Sequence, residues 1–361
     1  MLEIPGVRTA ALARLFESER QGHMISMKDV ANHAGVSVGT VSNVINRPDR
    51  VGPRTRARVR AVIDQLGYVR SETARQLRVG SSRLLAVLVL DMANPFFVEL
   101  ARGAQAAART AGLRVMMCNS VHDPVEEAEY LALFAEQRVR GVLMTPADTS
   151  GSSLPLLQRY RIPHVFADRV VAAGRACSVS VDDVLGAALA VRHLTSLGHT
   201  RIAFINGPLR VAQFQDRLTG AQQAIAEAGV SAGGLQVLEV GQLDVASGRD
   251  AGARLLGLPE RPTAVFCAND LLALGVLQAL FAAGVRVPED VAIVGYDDIE
   301  FAAAAAVPLT SVRQPARRIG AAAAELLIEE TGADGDKHEH QQITFKPELV
   351  ARQSSVGGHA R

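Results

Sequence analysis

The stretch KDVANHAGVSVGTVSNVIN, residues 28–46, decides how the rest of the chain is read. It contains GVSVG, a match to the G-x-S-x-G pattern in which a nucleophilic serine sits on a strand-to-helix turn. That turn needs an apolar strand before the serine. Here Val30, Ala31 and Ala34 recur at helical spacing instead, and Asp29 favours a first helical turn. Gly35 supplies a tight corner, and Ser37 stands where an N-cap is needed. Val41, Val44 and Ile45 follow at i, i+3, i+4 and form one inward stripe. Ser37 is therefore read as a helix cap, and the G-x-S-x-G match as a coincidence of turn and cap. A third helix is predicted from about Arg54 to Leu66. Val59, Val62, Ile63 and Leu66 point inward on it, and Arg54, Arg56, Arg58 and Arg60 outward.

The charge around this segment is uneven. Residues 24–83 hold eleven Lys/Arg and four Asp/Glu, although the whole chain of 361 residues has a formal net charge of only +1. A basic module on an acidic body is the electrostatic footprint of nucleic-acid binding. The motifs KDVANHAGVS, TVSNVIN, TRARV, QLGY and ETARQL of residues 27–83 resemble the DNA-binding head of the LacI/GalR-type (lactose/purine/galactose repressor) family. The resemblance continues through most of residues 84–356.

On DNA, the second helix should enter the major groove with its N-terminal residues at base edges. The expected contacts are Ser37, Val38, Gly39, Thr40, Ser42, Asn43 and Asn46. Val38 suits a thymine methyl group and Asn43 suits adenine, while no arginine lies on this face. The outer arginines should grip phosphates. Residues 71–79, SETARQLRV, make a helix too short to stand alone in water. By resemblance it is a hinge helix over the minor groove, with Leu77 as the apolar wedge and Arg75 and Arg78 on the flanking backbone.

Beyond Gly80-Ser81-Ser82 the chain alternates between apolar runs and helical segments. The runs begin with LLAVLVLD (84–91) and end with VAIVGYDD (291–298). This pattern implies parallel sheets covered by helices in two lobes; the resemblance implies that they form a periplasmic-binding-protein-like core. The predicted organisation is an N-terminal extension over 1–26, a helix-turn-helix domain over 27–70, a hinge helix and linker over 71–83, and a core over 84–356. The lobes are expected near 84–182 plus 315–336 and near 183–314 plus 337–356. Residues 1–23 are expected to be a disordered arm or an over-long start.

Ligands of open parallel sheets sit beyond the carboxyl ends of the strands. Polar groups gather there: Asp91, Asn94, Asp168, Asp182, Asp183, Asn206, Asn269, Asp270, Asp297 and Asp298. The resemblance narrows them to a ligand set of Asn94, Phe96, Phe97, Asp168, Arg217, Asn269, Asp297 and Gln314. At Val181 and Leu243, sugar-binding relatives often carry an aromatic that stacks on the ligand. Both are aliphatic here, which leaves Phe96 and Phe97 as platforms. The resemblance implies a cytoplasmic, ligand-responsive transcriptional regulator, usually a repressor. Its partners would be near-palindromic double-stranded operator DNA and a sugar-like or other small polar effector. The effector would change the angle between lobes, and inducer and corepressor control are both open. No leucine heptad follows KPELVARQSSVGGHAR, so a homodimer rather than a tetramer is expected.

Other classes find little support. Cys118, Cys177 and Cys267 are few, odd in number and set in or beside apolar runs, as buried free thiols are. His338-Glu339-His340 offers metal-ligand chemistry but lies in a polar segment, so no metal and no cofactor are predicted. No run of about 20 apolar residues suits a membrane span. No Walker A motif, dinucleotide fingerprint or H-E-x-x-H is present, so no catalytic residue is predicted. The alternative is a two-lobed solute-binding protein without a regulatory role, against which the basic head and the broken apolar start both argue.

Overall fold

The computed structural model describes residues 25–69, 82–147, 153–171, 174–332 and 335–356. The expectations for residues 1–24 and for the hinge segment, with Arg75, Leu77 and Arg78, lie outside the described residues. The chain divides into two compact units, residues 1–81 and 82–361.

In the first unit three helices follow in succession: α1 (Met27–Ala34), α2 (Val38–Asn46) and α3 (Pro53–Leu66). Ser26 and Asp29 form a reciprocal capping box at the start of α1. Gly35 ends that helix at φ 62°, a left-handed conformation that suits glycine. Ser37 caps α2, accepting from the Thr40 N–H at 3.1 Å. The serine follows a helix and a turn, not a strand, so a nucleophile elbow is excluded. Val30, Ala31, Ala34, Val41, Val44 and Val59 form the buried core. Ile45, Val62, Ile63 and Leu66 pack against it but stay partly exposed, as expected when a small unit has little interior. Of the arginines read as outward, Arg56 is half-buried and donates to the Pro48 carbonyl.

The second unit holds two six-stranded sheets. The first has the order β11-β5-β4-β3-β1-β2, from strands β1 (Leu84–Val89), β2 (Arg114–Asn119), β3 (Gly141–Met144), β4 (His164–Ala167), β5 (Cys177–Val181) and β11 (Gln342–Phe345). The second has the order β12-β10-β9-β8-β6-β7, from β6 (Ile202–Asn206), β7 (Leu235–Glu239), β8 (Ala264–Cys267), β9 (Ala292–Asp297), β10 (Thr310–Arg313) and β12 (Glu348–Val350). Every pairing is parallel except β10 with β12. The central strands are buried along their length, which is why they read as unbroken apolar runs.

The covering helices of the first lobe include α4 (Pro95–Thr110), α5 (Pro124–Glu136), α6 (Ser153–Tyr160) and the late α12 (Ala316–Glu330). Helices α7 (Asp183–Ser196), α8 (Ala212–Glu227), α9 (Val245–Leu256), α10 (Asp270–Ala282) and α11 (Glu300–Ala304) belong to the second, and α13 (Gln353–Val356) follows β12. Helices α4 and α12 cross backbone to backbone. A Cβ on Gly103 would lie 2.0 Å from the Arg317 carbonyl oxygen, and one on Gly320 would lie 1.8 Å from that of Leu100.

One boundary differs from the sequence reading. Residues 337–356 were expected in the second lobe, yet Gln342–Phe345 pairs with β5 at the edge of the first sheet. Ile343 and Phe345 alternate inward and pack on the first lobe's core, and only β12 returns to the second sheet. The chain thus crosses between lobes three times: after Val181, after Arg313 and after Phe345.

Candidate nucleic-acid interface and ligand cleft

In the first unit, Ser37, Val38, Gly39 and Asn43 are exposed, and Thr40, Ser42 and Asn46 are half-buried. Val38, a large apolar side chain, is 45% exposed on an otherwise polar surface. Four of the polar side chains, Ser37, Thr40, Ser42 and Asn46, already have local partners. The Ser37 and Thr40 hydroxyls lie 3.0 Å apart, and Asn46 donates from Nδ2 to the Ser42 carbonyl at 2.8 Å. Asn43 is the exposed amide of this helix. Arg47, Arg54, Arg58 and Arg60 are exposed elsewhere on the unit and supply positive charge.

In the second unit the loops after β1 and β6 start the site. Each of these strands lies between two neighbours reached by opposite chain directions, which opens a crevice at the carboxyl ends. Leu90, Asp91, Asn94, Phe96 and Phe97 follow β1, and Val211, Gln213, Phe214 and Arg217 follow β6. With His122, Asp168, Leu243, Asn269, Asp297 and Gln314 they line one narrow pocket. All eight ligand residues named from the sequence line it. Val181 does not: it is buried in the first lobe's core. Leu243 does, and Phe214 provides an aromatic face that the sequence reading did not name.

The polar lining is ordered by hydrogen bonds. Asn94 caps α4 through Oδ1 and donates from Nδ2 to Asp297 Oδ2 at 2.9 Å. Gln314 donates to Asp297 Oδ1 at 2.7 Å. Gln213 donates from Nε2 to the carboxylate of Asp168 at 3.2 Å and to that residue's carbonyl. Arg217 is buried, donating to Asp183 Oδ1 at 2.7 Å and to the Ala268 carbonyl at 2.6 Å. Its guanidinium lies 3.8 Å from the centroid of the Tyr296 ring, and Tyr296 also donates to Asp183. Asn269 is largely structural: it caps α10 and donates to the Leu243 carbonyl.

Burial dominates the electrostatics. It pushes the Asp168 carboxyl up to about 8, helped by the nearby charge of Asp183 and opposed by Arg217. It pushes Asp297 up to about 6 against the pull of Arg217. Burial alone would lower Arg217, but Asp183 and its neighbours outweigh it and raise it further. Asp168 and Asp297 hold φ of 58° and 102°, unusual for non-glycine residues and typical of ligand clamps. Three buried oxygens of the lining have no partner among the described residues: Asp168 Oδ1, Gln213 Oε1 and Gln314 Oε1. Both amide orientations follow from their neighbours, since each Nε2 faces oxygen atoms that can only accept.

A helix-turn-helix unit and a two-lobed α/β unit with a polar cleft define a DNA-binding regulator that responds to a small ligand. Residues 26–71 match the family described as bacterial regulatory proteins, lacI family, and residues 191–355 match the periplasmic binding protein-like domain. The HTH-type transcriptional repressor PurR of Photobacterium profundum is 34% identical over 332 residues, 92% of this chain and 98% of that protein. The ribose operon repressor of Escherichia coli K12 is 37% identical over 334 residues, 92% of this chain and 100% of that one. Among solved structures, the transcriptional regulator CelR in complex with cellobiose has 32% identity and a TM-score of 0.69, covering 92% of this chain and 100% of its own. The Lac repressor dimer bound to operator and the anti-inducer ONPF has 26% identity and a TM-score of 0.78, with the same two coverages. The chain belongs to the lacI family of bacterial regulatory proteins. Among the described residues no helix is long and apolar enough to cross a membrane.

Proposed function

We propose that this regulator is a homodimeric, cytoplasmic repressor of a near-palindromic operator, controlled by a small neutral polyhydroxylated ligand held between the lobes. It carries out no chemical step. The observation that carries the ligand class is the set of three unpartnered oxygens, Asp168 Oδ1, Gln213 Oε1 and Gln314 Oε1. Buried polar atoms without partners are costly, and ligand hydroxyls, which both donate and accept, would satisfy the two amide oxygens and pair with the Asp168 carboxyl in either protonation state. Phe96, Phe97 and Phe214 supply apolar faces for the C–H surface of a sugar ring. Among the similar proteins, the ribose operon repressor and the cellobiose-bound CelR are named for sugars, while PurR is not.

Ligand in the cleft would alter how Asn94 and Gln213 bridge the lobes, and so the spacing of the two DNA-binding heads. A coupling of about 1–3 kcal/mol would change operator affinity roughly 5–150-fold. The test is a thermal-shift and calorimetric screen of the purified protein with neutral pentoses, hexoses and disaccharides beside purine bases and amino acids. Each binder is then added to an operator-binding assay on genomically selected fragments. A sugar that stabilises the protein and shifts operator affinity supports the reading. Binding of purines or amino acids with no response to any sugar overturns the polyol assignment.

A further inference from the structure

His338 and His340 stand two apart on the approach to β11. In extended chain that spacing places both rings on one side. Both reach Cys177, the buried first residue of β5: His338 Nε2 lies 3.0 Å and His340 Nδ1 lies 3.8 Å from its Sγ. Glu330, the last residue of α12, completes the group. One donor atom from each of the four side chains lies within 4.8 Å of all the others. Among the described residues no second set of three or more His, Cys, Asp or Glu gathers in this way.

Glu330 Oε2 is buried without a hydrogen-bond partner, at a helix end whose last carbonyls carry partial negative charge. Arg140 reaches this end of α12 but donates to Thr331.

We propose that Cys177, Glu330, His338 and His340 bind one transition-metal dication of the zinc type. A thiolate, a carboxylate and two neutral imidazoles carry two negative charges, which balance a dication. A thiolate with imidazoles selects zinc, cobalt or nickel over magnesium and calcium. Tetrahedral bonds of about 2.0–2.3 Å place ligand atoms roughly 3.3–3.7 Å apart, so the cluster needs to contract by about an ångström at its widest. On binding, one metal–sulfur, one metal–oxygen and two metal–nitrogen bonds form, and the thiol proton and any carboxyl proton leave to solvent.

The site is separate from the ligand cleft. Strands β5 and β11 run parallel, and Cys177 is at the amino end of β5 while the cleft lies beyond the carboxyl ends. Five residues of strand separate the two by roughly 16 Å. The ion would tie the edge strand β11 to β5 and α12, at the ends of these strands opposite the lobe crossings.

The test is titration of the full-length, chelator-stripped protein with Co²⁺, followed by Zn²⁺. The expected result is one Co²⁺ per chain, with a thiolate-to-metal charge-transfer band and the visible bands of tetrahedral cobalt, both erased by Zn²⁺. Cys177→Ser should abolish the charge-transfer band. His338→Ala, His340→Ala and Glu330→Gln should each weaken binding by more than about tenfold, with the far-ultraviolet circular dichroism of the metal-free protein unchanged. Because Cys177→Ser disturbs a buried position, the two histidine variants carry the decision if it misfolds. Absence of the charge-transfer band in the parent protein overturns the proposal. So does a band that survives in the His338→Ala/His340→Ala double variant, which would place the thiolate elsewhere, at Cys118 for instance.

Discussion

Asn94 joins the two lobes to each other through Asp297, donating from Nδ2 to the carboxylate Oδ2 at 2.9 Å while its own Oδ1 caps α4. One side chain therefore spends its acceptor on its own helix and its donor on the opposite lobe. Gln213 mirrors it, reaching from the second lobe to Asp168 of the first. Each bridge ends on a carboxyl group whose affinity for protons is raised by burial. Closure of the cleft, ligand contact and protonation thus meet at the same two acids.

Asn94→Ala removes both roles. It leaves a buried carboxylate oxygen without its donor and strips the cap from α4, a combined loss of about 1–3 kcal/mol in denaturant unfolding of the larger unit. Asn94→Asp keeps the capping oxygen but sets a second acid against Asp297. It should retain α4 and hold the lobes apart, which small-angle scattering would register as a larger radius of gyration. Equal stability and equal dimensions in both variants would mean that this bridge does not hold the cleft closed.

The raised acids fix the sign of a pH dependence. Folded Asp168 keeps its proton to about pH 8, whereas the unfolded chain loses it near pH 4. Over that window the native state binds more protons, so stability falls as pH rises, and Asp297 and Asp270 act in the same direction. Burial lowers His122, His164, His193 and His199, which work oppositely and only below about pH 6.5. Urea midpoints from about pH 6.5 to about pH 8 should therefore decline in the parent and decline less in Asp168→Asn. Asparagine tolerates the φ of 58° at this position. Affinity for a hydroxyl-donating ligand should rise over the same range in the parent alone. Parallel midpoint curves for the two proteins would remove Asp168 as the source.

What the sequence shows and what it hides divide along contact range. Strand ends, caps and the helix-turn-helix stripe are local, and so Asn94, Asp168, Asn269 and Asp297 could be named from strand-end position alone. Gln213 and Phe214 were within reach: they lie at i−4 and i−3 from Arg217, on the same face of α8. His122 was not, because nothing near it in the chain marks it as facing a cleft. The four-residue strand Gln342–Phe345 alternates correctly, but alternation cannot say which sheet edge will accept it. Cys177 and His338 meet across 161 residues, a contact that single-chain patterns do not encode.

Arg217 was expected to serve the ligand and nothing else, and its burial changes the forecast. Arg217→Ala leaves Asp183 buried without its cation, at a cost of about 3–5 kcal/mol. Loss of ligand response in that variant would therefore be confounded with loss of fold. Arg217→Met with Asp183→Asn removes both charges, fills the volume and retains an acceptor for Tyr296. The double variant should recover more than half of the lost stability in urea unfolding. If it then binds operator but ignores ligand, Arg217 is a ligand contact; if ligand still acts, the arginine only supports the cleft.

On the DNA side, Asn43 and Ser37 separate base reading from helix integrity. Asn43 is exposed on α2 one turn after Gly39, and its amide can pair with the donor and acceptor of adenine in the major groove. Asn43→Ala should cost about 1–3 kcal/mol of specific operator affinity and relax base preference at one position per half-site. Non-specific affinity and the slope of binding against salt should stay as they were, because exposed Arg47, Arg54, Arg58 and Arg60 remain to neutralise phosphates. Ser37→Ala acts differently. It removes the acceptor of the Thr40 N–H, destabilises the small unit by about 1 kcal/mol and weakens specific and non-specific binding together. Fluorescence anisotropy on operator and scrambled duplexes at several salt concentrations distinguishes the two patterns. If Asn43→Ala lowers both affinities equally, its amide holds the backbone, and sequence must be read through Val38 and the shape of the groove.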